Sequence, residues 1–436
     1  MSKVKVSIVT QNFNSNNYLP ISMLSLYSAF KTLAKLSDFI DGRVLLIDNA
    51  SFDGSYEKLS QLGSRLSKEM SINFESRRFG KDLGNSFAIT YGFLLEKKRG
   101  AKYILNIDND FIILYPNIVK EMIDTAEKFN SLKIKYHAIT TMYIIGNRDV
   151  LLKNPSFKHA QDLDEIMNFV REEAERSKLL APNINYVNVL NQSFTILLVM
   201  SREEFNSIIL KKENLPEFLL SSHVPASFTL YNPNSAPMYP YFYITGDDIS
   251  CGLENARRGY FSVVLTKTGG IHYVTTQQKA NNVRLYYGFR NIILYNSLKG
   301  HRKALHEFLW FIYSAPYSII NALNIKQLIK RRLVKNELLI NPSTSVKSNP
   351  RVAKYAVLGV LHGIMEDHYF RKKTEQWFDK FIPRADIDYL DYLRLDYSTW
   401  SGGSFSLKDL LLYLIMPDKA VRKDVGINIL IRRLKN

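Results

Sequence analysis

The hydrophobic positions in the first part of the chain alternate between short runs and longer periodic stretches. Three short runs rich in β-branched residues, at 4–13, 43–48 and 103–108, have the length and composition of buried strands. Apolar residues at 20–37 and 85–98 recur at helical spacing. Strands that alternate with helices of this size are typical of βαβ units. We therefore predict an α/β fold with a mostly parallel sheet flanked by helices.

The pattern is mixed in the middle of the chain and then becomes helical. It predicts a charged helix near 161–178 and a strand at 194–200. Further helices are predicted at 283–335, 356–380 and 405–435. The C-terminal region of the chain is therefore expected to be α-helical.

A chain of 436 residues is long enough for two or three structural units. We predict an α/β domain at 1–282 and a helical segment rich in aromatic and basic residues at 283–340. A C-terminal helical region at 341–436 begins with the Ser- and Pro-containing linker 341–350.

Polar side chains gather where the predicted strands end. The polar residues at the ends of the first, second and third strand are Asn12 and Asn14, Asp48 and Asn49, and Asp108 and Asp110. In open α/β sheets, ligands bind at the carboxyl ends of the strands. Three strands that end in this way predict a polar crevice at one edge of the sheet.

Asp108 and Asp110 stand two residues apart directly after an apolar run. Two carboxylates on one turn can bind Mg²⁺ or Mn²⁺, which prefer oxygen ligands and keep coordination positions open for a diphosphate. Acids also end many strands without binding a metal. The polar ends of the two preceding strands favour the metal interpretation.

The loop DNASFDGS at 48–55 has two compatible interpretations. Asp48 can accept a hydrogen bond from a nucleobase or a ribose hydroxyl. Ser51, Asp53 and Gly54 are also suited to a turn and to the cap of the next helix. The loop can therefore serve a ligand, the fold or both.

A second acid pair, Asp247 and Asp248, follows Gly246 and precedes a helix-like stretch. The dipole of a helix favours an ionised carboxylate at its N-terminus, and such a carboxylate can act as a general base toward a hydroxyl group. His272 could complete a metal shell as a neutral imidazole. Alone, such a pair is more often a helix cap, and such a histidine is more often an ordinary surface or core residue.

Positive charge is concentrated in the last third of the chain. The whole sequence has 58 Lys and Arg against 41 Asp and Glu, a net charge of +17. Residues 281–436 hold 26 of these basic residues and 13 of the acidic ones, a net charge of +13. An anionic membrane surface and a nucleic acid are the two partners suited to such a field.

The segment 308–325 carries no charge, is rich in aromatic residues and is followed by a basic cluster at 326–335. This order fits a helix that lies in the interface of an anionic bilayer. It fits equally well an aromatic core helix with a solvated basic end. We favour the membrane surface and expect no nucleic-acid partner.

Two further features bear on the compartment. A single cysteine, Cys251, excludes an intramolecular disulfide and a Cys-rich zinc site. The sequence enters a strand-like run at its first residues, without the longer apolar segment of a signal peptide. We expect a cytoplasmic protein that associates peripherally with a membrane.

Six motifs in this order resemble the GT-A glycosyltransferases of family 2. They are VSIVTQNFN, LLIDNASFDGS, LGNSFAITYG, YILNIDND, GDDISCGLENARRGY and the His272 segment with YYGFRN. The sequence is most similar to the galactofuranosyl- and rhamnosyltransferase-like members over roughly residues 4–300. The later stretch AVLGVLHGIMEDHYFRK resembles the tail of bacterial-type polysaccharide members. The resemblance implies a Rossmann-like nucleotide-diphospho-sugar transferase fold, with 1–282 as the catalytic domain.

The resemblance also implies a role for the two acid pairs and the histidine. Asp108 and Asp110 would coordinate Mn²⁺ or Mg²⁺ that bridges the diphosphate, with His272 as a further metal ligand. Asp248 would be the catalytic base, and Asp247 would orient the acceptor.

The nucleotide site is implied in the same way. Asp48 would hold the uridine or thymidine part of the donor, and Phe13 and Asn14 would line the base pocket. The expected nucleotide- and donor-binding residues are Phe13, Asn14, Asp48, Asn49, Arg77, Arg78, Asp108 and Arg290. The two arginines at 77 and 78 are included because guanidinium groups suit a diphosphate, although exposed arginines without a ligand are common. Arg290 and Asn291 match an Arg-Asn pair on a helix near the site.

The function implied is inverting transfer of a hexose from a UDP- or dTDP-sugar to a hydroxyl of a glycan or lipid-linked acceptor at a membrane, as in polysaccharide biosynthesis. One alternative is a nucleotidyltransferase, but QNFNSNNYLP lacks the glycine and the basic residue that a triphosphate loop needs. Another is a catalytically silent protein that binds a membrane or a nucleic acid. The sequence leaves open whether the protein forms a homo-oligomer.

Overall fold

The computed structural model describes most of the first 274 residues and one later helix. The described residues are 3–155, 157, 162–180, 217–221, 223–244, 246–274, 286–288, 290, 291, 294 and 353–383. Several predictions lie outside these residues, namely those for 194–200, 308–325, 341–350 and 405–435. Most of the helical stretch predicted at 283–335 also lies outside them. The division into three units stays a prediction.

The first third of the chain alternates strands and helices, as its hydrophobic pattern predicts. The elements are β1 (Val4–Asn12), α1 (Leu19–Lys35), β2 (Ile40–Asp48), α2 (Ser55–Met70), β3 (Asn73–Arg78), α3 (Asn85–Lys98) and β4 (Tyr103–Asp108), with a short 3₁₀ turn at Asn16–Tyr18. β1 and β4 are buried over most of their length. Such strands have continuous apolar runs because helices cover the sheet. α2 instead buries one stripe, formed by Leu59, Leu62 and Leu66.

Nine strands form one mixed sheet in which six strands point in the same direction. The later strands are β5 (Phe111–Ile113), β6 (Tyr136–Asn147), β7 (Phe218–Ser221), β8 (Phe228–Tyr231) and β9 (Phe261–Val274). The order across the sheet is β3-β2-β1-β4-β8-β6-β9-β5, and β7 also pairs with β9. β5, β7 and β8 run antiparallel to their neighbours. The prediction of an α/β fold with a mostly parallel sheet flanked by helices is confirmed.

Five further helices are described. They are α4 (Asn117–Ser131), α5 (Arg148–Leu151), α6 (Leu163–Leu180), α7 (Asp247–Ala256) and α8 (Ala353–Asp379). α6 corresponds to the charged helix predicted near 161–178, and α8 to the helix predicted at 356–380. Phe378 of α8 joins the hydrophobic core that also contains the sheet. None of the described helices combines the length and the apolar composition needed to cross a bilayer.

The register of the sheet positions the polar strand ends. Asn12 at the end of β1 pairs with Asp48 at the end of β2. Asp108 at the end of β4 lies on the other side of β1, one register position away. β5 follows directly after Asp110 and pairs with β9 at His272. Residues that are distant in the sequence therefore meet at one edge of the sheet.

Candidate active site

Three side chains form the candidate metal cluster, which consists of Asp108, Asp110 and His272. Their ligand atoms all lie within 4.8 Å of one another. Nε2 of His272 is 3.0 Å from Oδ1 of Asp110 and 3.8 Å from Oδ2 of Asp108. Two ligands at right angles, each about 2.1 Å from an ion, lie about 3 Å apart. The spacing therefore suits one Mn²⁺ or Mg²⁺ ion.

Hydrogen bonds to the main chain fix the backbone segment that carries the two carboxylates. The amide of Asp108 donates to the carbonyl of Ser227, and the hydroxyl of Ser25 donates to the carbonyl of Asp108. The amide of Tyr273 donates to the carbonyl of Asp110 at 2.8 Å. The acidic loop is thereby fixed between β8, α1 and β9.

The electrostatics of the cluster also suit a divalent cation. The pKa of Asp108 is raised to about 6, chiefly by burial; His272 opposes this rise, and the charges of Asp110 and Asp247 add to it. Burial disfavours protonation of His272, but the charges of Asp110 and Asp108 outweigh it and raise the pKa of the imidazole. The cluster thus gathers negative charge around one nitrogen and two oxygen donors, a set that fits Mn²⁺ or Mg²⁺.

The second acid pair begins α7. Gly246 precedes it with a φ of +76°, a conformation that glycine adopts without strain. Asp247 is buried, and one of its carboxylate oxygens accepts a hydrogen bond of 3.0 Å from the hydroxyl of Ser86 on α3. Asp248 is only partly buried and accepts from the amide of Ile249 at 2.8 Å. The pair is therefore anchored through its first carboxylate and leaves the second less constrained.

The charges of the two acid pairs act on each other. Burial, then Asp247, then Asp108 are among the causes that raise the pKa of Asp248 to about 7. Asp108 and Asp248 also both raise the pKa of the buried Tyr143, although burial is the larger cause. The ring centroid of Tyr143 is 5.9 Å from that of His272. The structure therefore brings both acid pairs and the histidine to one region.

Asp48 lies at the same edge, but its carboxylate is already hydrogen-bonded within the protein. It is buried and accepts from the side chains of Asn12 at 2.7 Å and Ser51 at 2.5 Å, and from the amide of Ser51 at 2.8 Å. Nε of Arg78 is 3.4 Å from its second oxygen. In this arrangement Asp48 organises the loop between β2 and α2.

The neighbours of Asp48 form the rim of this part of the site. Phe13 is 44% exposed and Phe52, on the next loop, is 84% exposed. The side chain of Asn14 links the two loops, since its oxygen accepts from the amide of Phe52 at 3.0 Å. Asn49 donates to Asp82 at 2.5 Å. Exposed aromatic rings on two adjacent loops are suited to stacking on a planar ligand.

The two arginines of β3 are bonded to groups outside the metal cluster. Arg77 pairs with Glu75 at 2.5 Å and donates to the hydroxyl of Tyr91 at 2.5 Å. Arg78 pairs with Glu57 at 2.8 Å and contacts Asp48. Neither arginine forms an ion pair with the metal cluster among the described residues.

Arg290 is turned toward α8. Its guanidinium pairs with Glu366 at 2.6 and 2.8 Å and lies over the ring of Tyr241 at 4.5 Å. The amide group of Asn291 donates to the carbonyl of Ile244, just before the second acid pair. In this structure the Arg-Asn pair holds the segment that leads to the candidate base.

Sequence reasoning missed Arg148, which lies beside the metal cluster. Its Nη1 atom is 3.7 Å from Oδ2 of Asp110. A sequence signal for it exists. The largely apolar run at 138–145 is followed closely by the polar residues Asn147 and Arg148, just as the earlier strand-like runs end in polar residues. Ser86 was missed as well, because its role depends on contact with α7.

Comparisons with known proteins do not assign a family. No family model matches the chain, and no curated protein matches its sequence. Among solved structures, 98 chains match. One is the mannosyltransferase PcManGT from Pyrobaculum calidifontis in complex with GDP-Man and Mn²⁺, with a TM-score of 0.40 at 8% identity, covering 85% of this chain and 88% of that chain. At these values the function has to be inferred from the geometry of the site.

Proposed function

We propose that the protein is a metal-dependent glycosyltransferase that moves a sugar from a nucleotide-diphosphate sugar to a hydroxyl group of an acceptor. The observation that carries this proposal is the convergence of Asp108, Asp110 and His272 with the acid pair Asp247 and Asp248. A metal cluster beside a carboxylate with a raised pKa provides both elements that such a transfer requires. The sequence resemblance to GT-A family 2 supports the same assignment.

Asp108, Asp110 and His272 would hold the metal, which is Mn²⁺ or Mg²⁺. A bound ion of this kind neutralises the charge that develops on the leaving diphosphate. The residues Phe13, Asn14, Asp48 and Asn49 would hold the nucleotide, and UDP- and dTDP-sugars are the proposed donors. The support for this assignment is that these residues lie on loops at the edge of the sheet that also carries the metal cluster.

Asp248 would act as the general base. A carboxyl group with a pKa of about 7 is ionised in part at neutral pH and is basic enough to accept a proton from an acceptor hydroxyl. Asp247, held by Ser86, would orient the acceptor. We propose a single displacement with inversion at the anomeric carbon, in which the hydroxyl oxygen forms the new bond, the bond to the diphosphate breaks and Asp248 receives the proton.

The acceptor is proposed to be a glycan or a lipid-linked sugar at a membrane surface. The support comes from α8, where Leu361, Met365 and Tyr369 form an exposed apolar stripe and Met365 is 79% exposed. The exposed Lys372 and Lys373 follow this stripe on the same helix. Apolar residues beside lysines are suited to an anionic bilayer surface.

Nucleotide sugars and divalent ions provide the test of the enzymatic proposal. We expect Mn²⁺ together with at least one of UDP-, dTDP- or GDP-sugar to raise the melting temperature and to release nucleoside diphosphate. Asp108→Ala should abolish both effects. Asp248→Asn should keep the thermal stabilisation by the donor and lose transfer. Full transfer in either variant, or no response to any donor, would contradict the proposal.

Vesicle binding tests the membrane proposal separately. The double variant Leu361→Glu with Met365→Glu should reduce co-sedimentation with phosphatidylglycerol vesicles, whereas Leu132→Glu, at an exposed leucine after α4, should not. Equal binding of both variants would exclude α8 as the contact surface. Preferential binding to RNA at matched salt would favour the nucleic-acid alternative.

A further inference from the structure

Arg148 occupies a place beside the metal cluster that no assigned role explains. It is the first residue of α5, directly after β6, and its side chain is 19% exposed. One face of the guanidinium lies over the ring of Tyr18, with Cζ 4.0 Å from the ring centroid. Its Nη1 atom is 3.7 Å from Oδ2 of Asp110. The group is therefore confined between an aromatic ring and a metal-ligand candidate.

The ring beneath Arg148 is itself fixed. The hydroxyl of Tyr18 donates to the side-chain oxygen of Asn109 at 3.4 Å, and the side chain of Asn109 donates to that of Asn12 at 3.1 Å. Burial, with the charge of Asp110 as the next cause, raises the pKa of Tyr18 to about 12 and keeps the phenol neutral. A guanidinium stacked on a fixed ring is preorganised, so it loses little rotamer entropy when it binds a ligand.

The charge of the cluster explains what Arg148 could bind. The carboxylates of Asp108 and Asp110 bring two negative charges, which one divalent cation cancels. Arg148 adds one positive charge at the same place. A diphosphate carries at least two negative charges, and a guanidinium binds its oxygens with several parallel hydrogen bonds. With the cation and the two carboxylates cancelling each other, Arg148 provides the net positive charge that attracts a diphosphate.

The other arginines considered for this role are bonded elsewhere. Arg77 is held by Glu75, Arg78 by Glu57, and Arg290 by Glu366. Of these four arginines, Arg148 is the one whose ion-pair partner, Asp110, belongs to the candidate metal cluster.

We propose that Arg148 binds the diphosphate of the nucleotide donor, as a second cation beside the metal. The role rests on the proposed function, since it names the group that holds the phosphate part of the same donor. The guanidinium is paired with Asp110 at 3.7 Å. With Asp110 holding a metal, the hydrogen-bond donors of Arg148 would face the phosphate oxygens.

The test measures binding of the metal and of nucleoside diphosphate separately. Mn²⁺ affinity is measured without nucleotide by electron paramagnetic resonance. Affinities for UDP, dTDP and GDP, and for the corresponding monophosphates, are measured at saturating Mn²⁺ by calorimetry. Arg148→Gln should weaken binding of the diphosphate that the wild type prefers by about 10- to 100-fold and binding of the matching monophosphate by much less. Its Mn²⁺ affinity should stay within about threefold of the wild-type value.

Two further variants complete the experiment. Arg148→Lys keeps the charge but loses the planar fork, so it should restore only part of the affinity for the diphosphate. Arg99→Gln removes an arginine of similar burial that pairs with Glu75 and Glu96, and it should leave both affinities unchanged. Melting temperatures in the absence of ligand show that each variant is folded.

Three outcomes would overturn the inference. Diphosphate affinity of Arg148→Gln within twofold of the wild type would mean that Arg148 does not contact the phosphates. A parallel loss of Mn²⁺ affinity would mean that it serves to position Asp110. If the wild type with Mn²⁺ binds none of the three nucleoside diphosphates, the proposed function fails together with this inference, which distinguishes that case from the first two.

Discussion

Asp248 is the second residue of α7, and its carboxyl group lies near two charges of the same sign. Burial and the charges of Asp247 and Asp108 raise its pKa to about 7. A carboxyl group with a raised pKa in the folded state binds its proton more tightly there than in the unfolded chain. The cost of this group to folding therefore grows as the pH rises from its ordinary pKa of 3.8 to about 7, and it is fully present above that value. In protein without bound metal, the ionised carboxylate of Asp248 therefore lowers the free energy of unfolding at neutral pH.

We expect Asp248→Asn to raise the melting temperature of the metal-free protein, because the amide keeps the shape and removes the charge. The gain should be largest above pH 7 and should shrink toward pH 4, where both the folded and the unfolded carboxyl groups become protonated. One unit of pKa difference corresponds to about 1.4 kcal/mol, so a gain of at least ~1 kcal/mol is expected at pH 8. Scanning calorimetry across this pH range measures the effect.

Asp53 provides a control of opposite sign. Burial opposes its ionisation, but hydrogen bonds from Ser55 and from the amide of Asn16 outweigh burial and lower its pKa. Its contribution to stability is present above the ordinary pKa near 3.8 and is lost as the pH falls below it. Asp53→Asn should therefore lower the melting temperature at pH 8. An Asp248→Asn variant no more stable than the wild type at pH 8 would refute the argument.

Local sequence motifs pointed to the acids and the histidine of the candidate site, but they could not predict the partners of those residues. Asp108 and Asp110 follow a recognisable strand, and Asp247 and Asp248 precede a recognisable helix. Arg148 becomes part of the site only because β6 lies beside β9 in the sheet. Such a contact depends on strand order, which a sequence pattern does not specify.

At the scale of the element, β9 determines where the imidazole lies. It pairs in parallel with β6 along most of its length and in antiparallel with β5 at Phe111–Ile113. Gly270 permits the approach to β5, since a Cβ atom there would lie 2.3 Å from the carbonyl oxygen of Ile112. A Cβ atom at position 270 would therefore clash with the backbone of β5, which cannot move aside as easily as a side chain. His272, two residues later, depends on this approach.

Gly270→Ala should therefore separate β9 from β5 and move His272 away from Asp110. We expect a loss of Mn²⁺ affinity of at least about tenfold, which corresponds to about 1.4 kcal/mol. Calorimetric titration with Mn²⁺ measures it. Gly80→Ala is the control, because nothing lies within 4 Å of a Cβ atom at that position and its φ is not positive. Unchanged affinity in the Gly270 variant would show that β9 can shift without cost to the cluster.

The hydrophobic pattern predicted three of the nine strands of the sheet, namely β1, β2 and β4. β1, β2 and β4 are largely buried and therefore have continuous apolar runs. β3 was not predicted, because this edge strand is only partly buried and its sequence NFESRR is mostly polar. β5 has three residues, too few for any periodicity. β6, β8 and β9 were not predicted either, although they lie inside the sheet, so the hydrophobic pattern recovers only some of the buried strands.

At the scale of the whole molecule, α8 is connected to the candidate base by a chain of contacts. Glu366 on α8 pairs with the buried Arg290 at 2.6 and 2.8 Å. The adjacent Asn291 donates to the carbonyl of Ile244 at 2.9 Å, three residues before Asp247. A residue late in the chain therefore fixes the segment that leads into α7. The metal cluster, on β4 and β9, is held by different contacts.

Because the segment before α7 and the metal cluster are held by different contacts, Glu366→Gln should affect the first and leave the second unchanged. The substitution leaves the guanidinium of Arg290 buried without an opposite charge, which costs roughly 1–3 kcal/mol because Glu366 is itself partly exposed. We expect a lower melting temperature and a lower rate of sugar transfer, with unchanged Mn²⁺ affinity. Gln376→Ala, at an exposed position on the same helix, should change none of the three. A parallel fall in Mn²⁺ affinity would mean that α8 supports the whole site rather than the segment before the base.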